Sequence, residues 1–227
     1  MLYDNASLAY LYLNAYRATK NDKYRRTAEK TLSYIENEMI SPEGGIYAAQ
    51  DADSEGVEGK FFVWEKKEIS EVLGKEDSEK IFSYFNVTEE GNFEGKNILN
   101  KSGDIDPEDE QAISGSLAKL YKERSKRIAP NTDKKIITSW SSLAIKAFAK
   151  SGIVFEKKKW LEVAINAANN ILENNVVEGR IQRVSYSGKS SSIHGFIEDY
   201  SFFVDSLIEL NESTGDNLWI DLAEEYS

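Results

Sequence analysis

The sequence predicts an all-α chain whose antiparallel helical hairpins stack into a curved two-layer array, either an α-solenoid or a closed α/α toroid, with short β-hairpin insertions. Three observations carry that reading. A nearly chargeless helix followed by a charged, amphipathic one recurs along the chain; the first two such pairs each end at a glycine stop; and proline supplies only 3 of 227 residues.

The first helix carries no charge between Asp4 and Arg17, so it is apolar around most of its circumference and needs cover on several sides. It is an inner helix. The stretch that follows places Tyr24, Ala28, Leu32, Ile35 and Met39 on one stripe, with Arg25, Arg26, Glu29, Lys30 and Glu36 elsewhere, the periodicity of an outer helix. Glu43-Gly44-Gly45-Ile46-Tyr47 then stops it and starts a short extended segment. The pattern returns in Ile136 to Phe148, in the amphipathic set Trp160, Ala164, Ala167 and Ile171, and in the stop Glu178-Gly179-Arg180-Ile181-Gln182. A third copy is shown by gapless alignment of Leu2–Glu29 on Ile197–Glu224, which sets Asp4 on Asp199, Tyr24 on Trp219 and Ala28 on Ala223. A second alignment, offset by 136 residues instead of 195, sets Trp140 on Asp4, Phe148 on Tyr12 and Trp160 on Tyr24.

Between the first two copies, Ser41 to Lys135 reads as one more hairpin with insertions. It is expected to hold a β-hairpin of Ile46–Gln50 with Lys60–Trp64, short helices at Lys66–Leu73 and Glu76–Phe85, an extended piece around Asn92–Leu99, and a helix from Pro107 to about Arg127. In the acidic run Asp106 to Glu110, Asp106 reads as an N-cap, Pro107 fits the first helical position, and the carboxylates oppose the helix dipole. The last outer helix starts near Asp216 and meets the end of the chain at Ser227, whereas its counterpart continues through Met39. Residues 1–227 are therefore expected to be a single fragment of a longer array.

Composition narrows the chemistry. With no cysteine and one histidine, there is no thiol nucleophile, disulfide or His-rich metal cluster, and no metal or cofactor is expected. A net charge of −11 repels phosphate backbones, so nucleic acid is not an expected partner. No apolar run approaches the roughly 18 residues that span a bilayer, so no membrane partner is expected. The N-terminus does not read as an export signal, which makes the cytoplasm the expected compartment.

Met1-Leu2-Tyr3-Asp4-Asn5-Ala6, the stretch from Ser41 through Gln50-Asp51-Ala52-Asp53-Ser54-Glu55-Gly56 to Gly59-Lys60-Phe61-Phe62-Val63-Trp64, and Asp133 through Ile136-Ile137-Thr138-Ser139-Trp140 resemble the thioredoxin-like, spermatogenesis-associated protein 20 family. The resemblance runs over essentially the whole chain. It implies an α/α toroid of the six-hairpin-glycosidase-like kind, here incomplete, with the family's N-terminal thioredoxin-like domain and the remaining hairpins absent. This chain departs from the family in reading Trp140-Ser141-Ser142 instead of Trp-Asn-Gly, and Asp133-Lys134 instead of a double aspartate.

In a toroid the inner helices run parallel, so their N-termini and positive dipole ends meet at one rim. The repeat places Asp4, Trp140, Glu198, Asp199 and Tyr200 at that level. Two carboxylates facing across the opening suit general acid and base work on a glycosidic bond, with Asp199, Asp53 and Asp4 as candidate catalytic groups. The simpler alternative is that Asp4 and Asp199 cap helices. The loop carrying Asp51, Asp53 and Glu55 runs into Phe61, Phe62 and Trp64, and carboxylates beside aromatic faces suit sugar recognition. Asp51, Asp53, Glu55 and Gly56 imitate the start of a calcium loop, but an EF-hand is not expected, because Phe62 stands where the bidentate glutamate belongs and a hairpin replaces the flanking helices. Asp51, Glu55, Trp64, Trp140, Glu198, Tyr200 and His194 are the candidate substrate-binding residues. A lone His194 does not provide the paired histidines of sugar 2-epimerases. Gly188-Lys189-Ser190 lacks the upstream glycine of a phosphate loop, and Asn5-Ala6-Ser7 reads as a chance sequon.

Two functions follow as expectations. One is a carbohydrate-active fragment that hydrolyses or isomerises a sugar ligand. The other is a non-catalytic scaffold that presents its surface to a thioredoxin-like domain of the parent protein. Exposed toroid ends also predict self-association.

Overall fold

The computed structural model describes residues 1–101 and 107–227 without the side chains of 107–110, so the cap expected at Asp106 and the carboxylates of Glu108, Asp109 and Glu110 lie outside the described residues. In chain order the elements begin with α1 (Leu2–Thr19), α2 (Asp22–Glu38), β1 (Ala49–Gln50), β2 (Asp53–Ser54) and β3 (Val57–Glu58). Next come α3 (Lys66–Leu73), α4 (Lys75–Phe85), α5 (Pro107–Arg124), β4 (Thr132–Asp133), β5 (Lys135–Ile137), α6 (Thr138–Val154) and α7 (Lys158–Asn174). The chain continues through β6 (Val176–Val177), β7 (Arg180–Ile181), β8 (Val184–Tyr186) and β9 (Lys189–Ser190) to α8 (Ile197–Thr214) and α9 (Leu218–Glu225). Among the described residues no helix is long and apolar enough to cross a membrane.

Two compact units emerge: Met1–Gln50 with Thr132–Ser227, and Asp51–Asn131. In the first, three helical hairpins pair an inner helix with an outer one: α1 with α2, α6 with α7, and α8 with α9. The inner helix α6 packs against α1 and against α8. Leu13, Leu32, Ile35, Phe148, Ile171 and Phe203 are wholly buried in the common core, as the two kinds of hydrophobic stripe require.

Cross-helix contacts show that the inner helices are parallel and in register. Tyr3 meets Trp140 with ring centroids 4.8 Å apart near the starts of α1 and α6, and the Lys146 ammonium lies 4.8 Å from the Tyr10 ring one to two turns further along. Between α6 and α8, Lys146 Nζ donates to Asp205 Oδ2 at 2.6 Å across a separation of 59 residues, the same separation that the repeat gives Trp140 and Asp199. Lys150 pairs with Glu209 at 2.9 Å and Glu212 at 3.1 Å.

The exit segments repeat as well. After α2, Tyr47 N–H donates to Met39 O at 2.8 Å and Ala48 O accepts Leu2 N–H at 2.9 Å. After α7, Gln182 N–H donates to Asn175 O at 2.6 Å and Arg183 O accepts Thr138 N–H at 2.9 Å. In both hairpins the chain leaving the outer helix returns to the N-terminus of its own inner helix and satisfies a donor there.

The second unit corrects the expectation for the middle of the chain. Its helices α3, α4 and α5 pack on one another around Ile69, Ile81, Phe85, Ile113 and Leu120, a core of their own. The expected pairing of Ile46–Gln50 with Lys60–Trp64 is not formed. Ile46 bridges Ile40, β1 pairs with β4, and Trp64 bridges Asn97. The hairpin that does form is the shorter β2–β3, because Glu55 and Gly56 at its tip both have positive φ, 53° and 75°, the primed turn that suits a two-residue connection. Asn97 is buried and holds this region together, its Nδ2 donating to Trp64 O at 3.3 Å and Thr88 O at 3.0 Å.

Candidate functional site

At the rim of the first unit the inner-helix N-termini converge, as the repeat predicts. The Tyr3–Trp140 ring contact ties the start of α1 to that of α6, and Asp199 ties α6 to α8. Asp199 has no exposed surface. Its Oδ1 accepts Ser139 N–H at 3.0 Å; its Oδ2 accepts Phe196 N–H at 2.9 Å and Arg183 Nη1–H at 3.2 Å. The carboxylate therefore closes the first turn of its own helix and also the first turn of α6, which has no acidic residue there and no side-chain cap.

Arg183 spans the neighbouring carboxylates. Its Nη1 also donates to Glu198 Oε1 at 2.9 Å, and its guanidinium lies 4.6 Å from the Phe196 ring. The bond to Glu198, and then the charge of Asp199, hold the guanidinium above its ordinary pKa against the opposing effect of burial. Tyr200 is engaged through its hydroxyl, which accepts Ile181 N–H at 3.1 Å. Its ring packs against the core. Trp140 is half-buried, while Asp4 and His194 are exposed, His194 forming a backbone bridge with Gln182.

Beneath the rim lies a buried polar layer. Thr138 Oγ1 donates to Gln182 O at 2.6 Å and accepts from Asn175 Nδ2 at 2.9 Å, so the exit segment, the end of α7 and the start of α6 are cross-linked. Rim residues with no charge or aromatic signature of a site, Ser139 above all, act through the backbone.

Asp51, Asp53, Glu55 and Trp64 belong to the second unit. Asp51, Asp53 and Glu55 are exposed; Asp51 Oδ1 accepts Asp53 N–H at 3.4 Å, Asp53 sits opposite Glu58 in the β2–β3 pair, and Glu55 pairs with Lys60 at 2.7 Å. Trp64 is only 3% exposed and carries the Arg127 guanidinium 4.1 Å from its ring centroid. The residues expected to line one bowl thus fall into two groups on different units, and each group has its own surroundings.

The sequence reading missed Arg183, Tyr3 and Phe196. A signal for Tyr3 existed, since it aligns with Ser139 and Glu198 in the repeat. Arg183 had none, because its partners stand 15 and 16 residues away across an irregular segment.

No family model matches the sequence. The chain is 27% identical to human spermatogenesis-associated protein 20 over 98% of its own length, and 30% identical to an uncharacterized protein of Caenorhabditis elegans over 99%. It spans about a third of the length of the curated relatives it matches, 34% and 36% of these two. Among solved structures it is similar to unsaturated glucuronyl hydrolase from Bacillus sp. GL1, described as responsible for the degradation of glycosaminoglycan. That likeness has a TM-score of 0.55 and 16% identity, and covers 98% of this chain and 44% of the hydrolase chain. The fold is that of the α/α toroids.

Proposed function

We propose that the rim of the first unit is the carbohydrate-binding surface of a longer α/α-toroid protein, whose reaction class is glycoside hydrolysis or sugar isomerisation. The observation that carries the reading is the Tyr3–Trp140 aromatic pair joined through Ser139 and Asp199 to the Arg183–Glu198 ion pair. Aromatic faces cover the apolar side of a pyranose, and charged groups hydrogen-bond its hydroxyls. The fold shared with unsaturated glucuronyl hydrolase supports it, as does the convergence of inner-helix N-termini. In this reading Asp199, saturated by three donors, is a positioning residue for Ser139 and Arg183. Glu198 and Asp4 are then the carboxylates open to a ligand.

The test is a panel of neutral and uronic saccharides against the chain by calorimetry, with Trp140→Ala. Removal of one stacking face is worth about 1.4 kcal/mol, so affinity should fall about tenfold. Binding that is unchanged in the variant, or absent for every saccharide, sinks the proposal. A second reading, docking of a protein such as a thioredoxin-like domain at the same rim, is favoured by the exposure of Phe196 at 53% and Ile197 at 82%. It predicts that Ile197→Asp leaves saccharide affinity unchanged while abolishing capture of the partner.

A further inference from the structure

In the second unit, a cleft of about 330 Å³ opens between the β2–β3 hairpin and the segment that follows α5. Lys60, Lys96, Lys126 and Arg127 line it against Glu55 and Glu68 only, a local excess of cations on a chain with net charge −11. We propose that this cleft is a binding site for a small molecule bearing an oxyanion, a phosphoryl or carboxylate group, and that it is independent of the rim.

Arg127 is the fixed element. Its Nη1 donates to the carbonyls of Phe61 at 3.0 Å and Val63 at 2.7 Å, its Nη2 reaches Glu68 at 3.4 Å, and its Cζ lies 4.1 Å from the centroid of the Trp64 ring. A guanidinium held on four sides loses little freedom when an anion arrives, which is the usual source of cheap affinity. The lysines are the adjustable element. Lys60 pairs with Glu55 at 2.7 Å, Lys126 with Glu123 at 2.6 Å and Lys96 with Glu65 at 3.5 Å. Solvent-facing pairs of this kind contribute about 0–1 kcal/mol each, so an entering anion exchanges for the glutamates at small cost. Glu65 and Glu123 do not line the cleft, which leaves the ammonium groups facing it once they turn.

Size and surface select the ligand class. The volume is at the lower end of the roughly 300–1,000 Å³ typical of small-molecule sites. Buried Phe61 and Val63 contribute apolar wall beside the cations. That combination fits a molecule the size of a monosaccharide with one charged group better than a polymer. Beyond about 8 Å at physiological salt the cations are screened, so the acidic surface as a whole does not cancel the local attraction.

The test titrates the whole chain with inorganic phosphate, glucuronate and glucose, following amide shifts of 54–63 and 124–128 by NMR. Saturable shifts with phosphate or glucuronate, weakening as salt rises, are expected; phosphate alone identifies a phosphoryl ligand and glucuronate alone a carboxylate one. The double variant Lys60→Gln/Lys126→Gln should weaken binding at least tenfold, and Lys60→Arg/Lys126→Arg should restore it to within a few-fold. Trp140→Ala should leave it unchanged, which separates this site from the rim. Glucose shifting the same amides as strongly as the anions, no saturable anion binding, or indifference to the glutamine pair each overturns the proposal.

Discussion

Replacing Asp199 by alanine is the sharpest test of how the first unit is held together. The substitution removes the acceptor of Ser139 N–H, Phe196 N–H and Arg183 Nη1–H from a position with no exposed surface. Loss of a cap costs about 1 kcal/mol, here at two helices. Leaving a charged donor without its buried acceptor adds about 1–3 kcal/mol, moderated because Glu198 still holds Arg183 at 2.9 Å. The expected destabilisation is therefore about 3–5 kcal/mol, or a fall in Tm of roughly 6–20 °C for a chain of this size. Asparagine keeps one acceptor for Ser139 but turns an NH2 toward two donors, so Asp199→Asn should cost only somewhat less. Because the chain has two units, bulk melting is supplemented by hydrogen exchange: the amides of Ser139 and Phe196 should lose protection selectively. A loss below about 1 kcal/mol with both amides still protected would refute the double-cap account.

The remaining predictions concern helix pairing. Glu36 joins α2 to α7 by accepting from Trp160 Nε1 at 3.0 Å and pairing with Lys159. Burial opposes its ionisation, but the bonds from Lys159 and Trp160 prevail and hold its carboxyl below the usual glutamate value. A depressed carboxyl stabilises the fold above the unfolded-state pKa and loses that contribution as pH falls through the folded value, so Glu36→Gln should flatten the acid limb of a stability–pH profile. An unaltered acid limb contradicts the assignment. In α6, a Cβ on Gly152 would stand 2.9 Å from Leu161 N and 3.3 Å from Leu161 Cβ. Gly152→Ala should thus lower stability by about 1 kcal/mol in urea unfolding despite the better helix propensity of alanine; a gain would show that α7 yields.

Much of this architecture could be read from the chain. The chargeless stretch from Asp4 to Arg17 marked α1 as an inner helix, and Leu2, Ala6, Ala9 and Leu13 are buried along it. The alignment of Asp4, Trp140 and Asp199 fixed the register in which the inner helices touch, since apolar spacing and rise per residue are shared by each copy. Two things were hidden. The second unit has its own core around Ile69, Ile81 and Phe85, and Trp64 and Asn97 pair in it across an irregular segment, a contact without periodicity. The role of Asp199 was half visible: capping its own helix follows from position, but capping α6 depends on a backbone amide 60 residues earlier, which side-chain identity cannot signal.

That borrowed terminus has a developmental corollary for the array. A hairpin whose leading turn is finished by its successor is not a self-sufficient brick: excising α8 and α9 strips α6 of its closure, and inserting a foreign pair demands an acid at the equivalent place. Copying or losing one hairpin at a time should accordingly be rarer in such proteins than exchange of adjoining pairs, and engineered versions should be cut behind the donor of the carboxylate, never ahead of it.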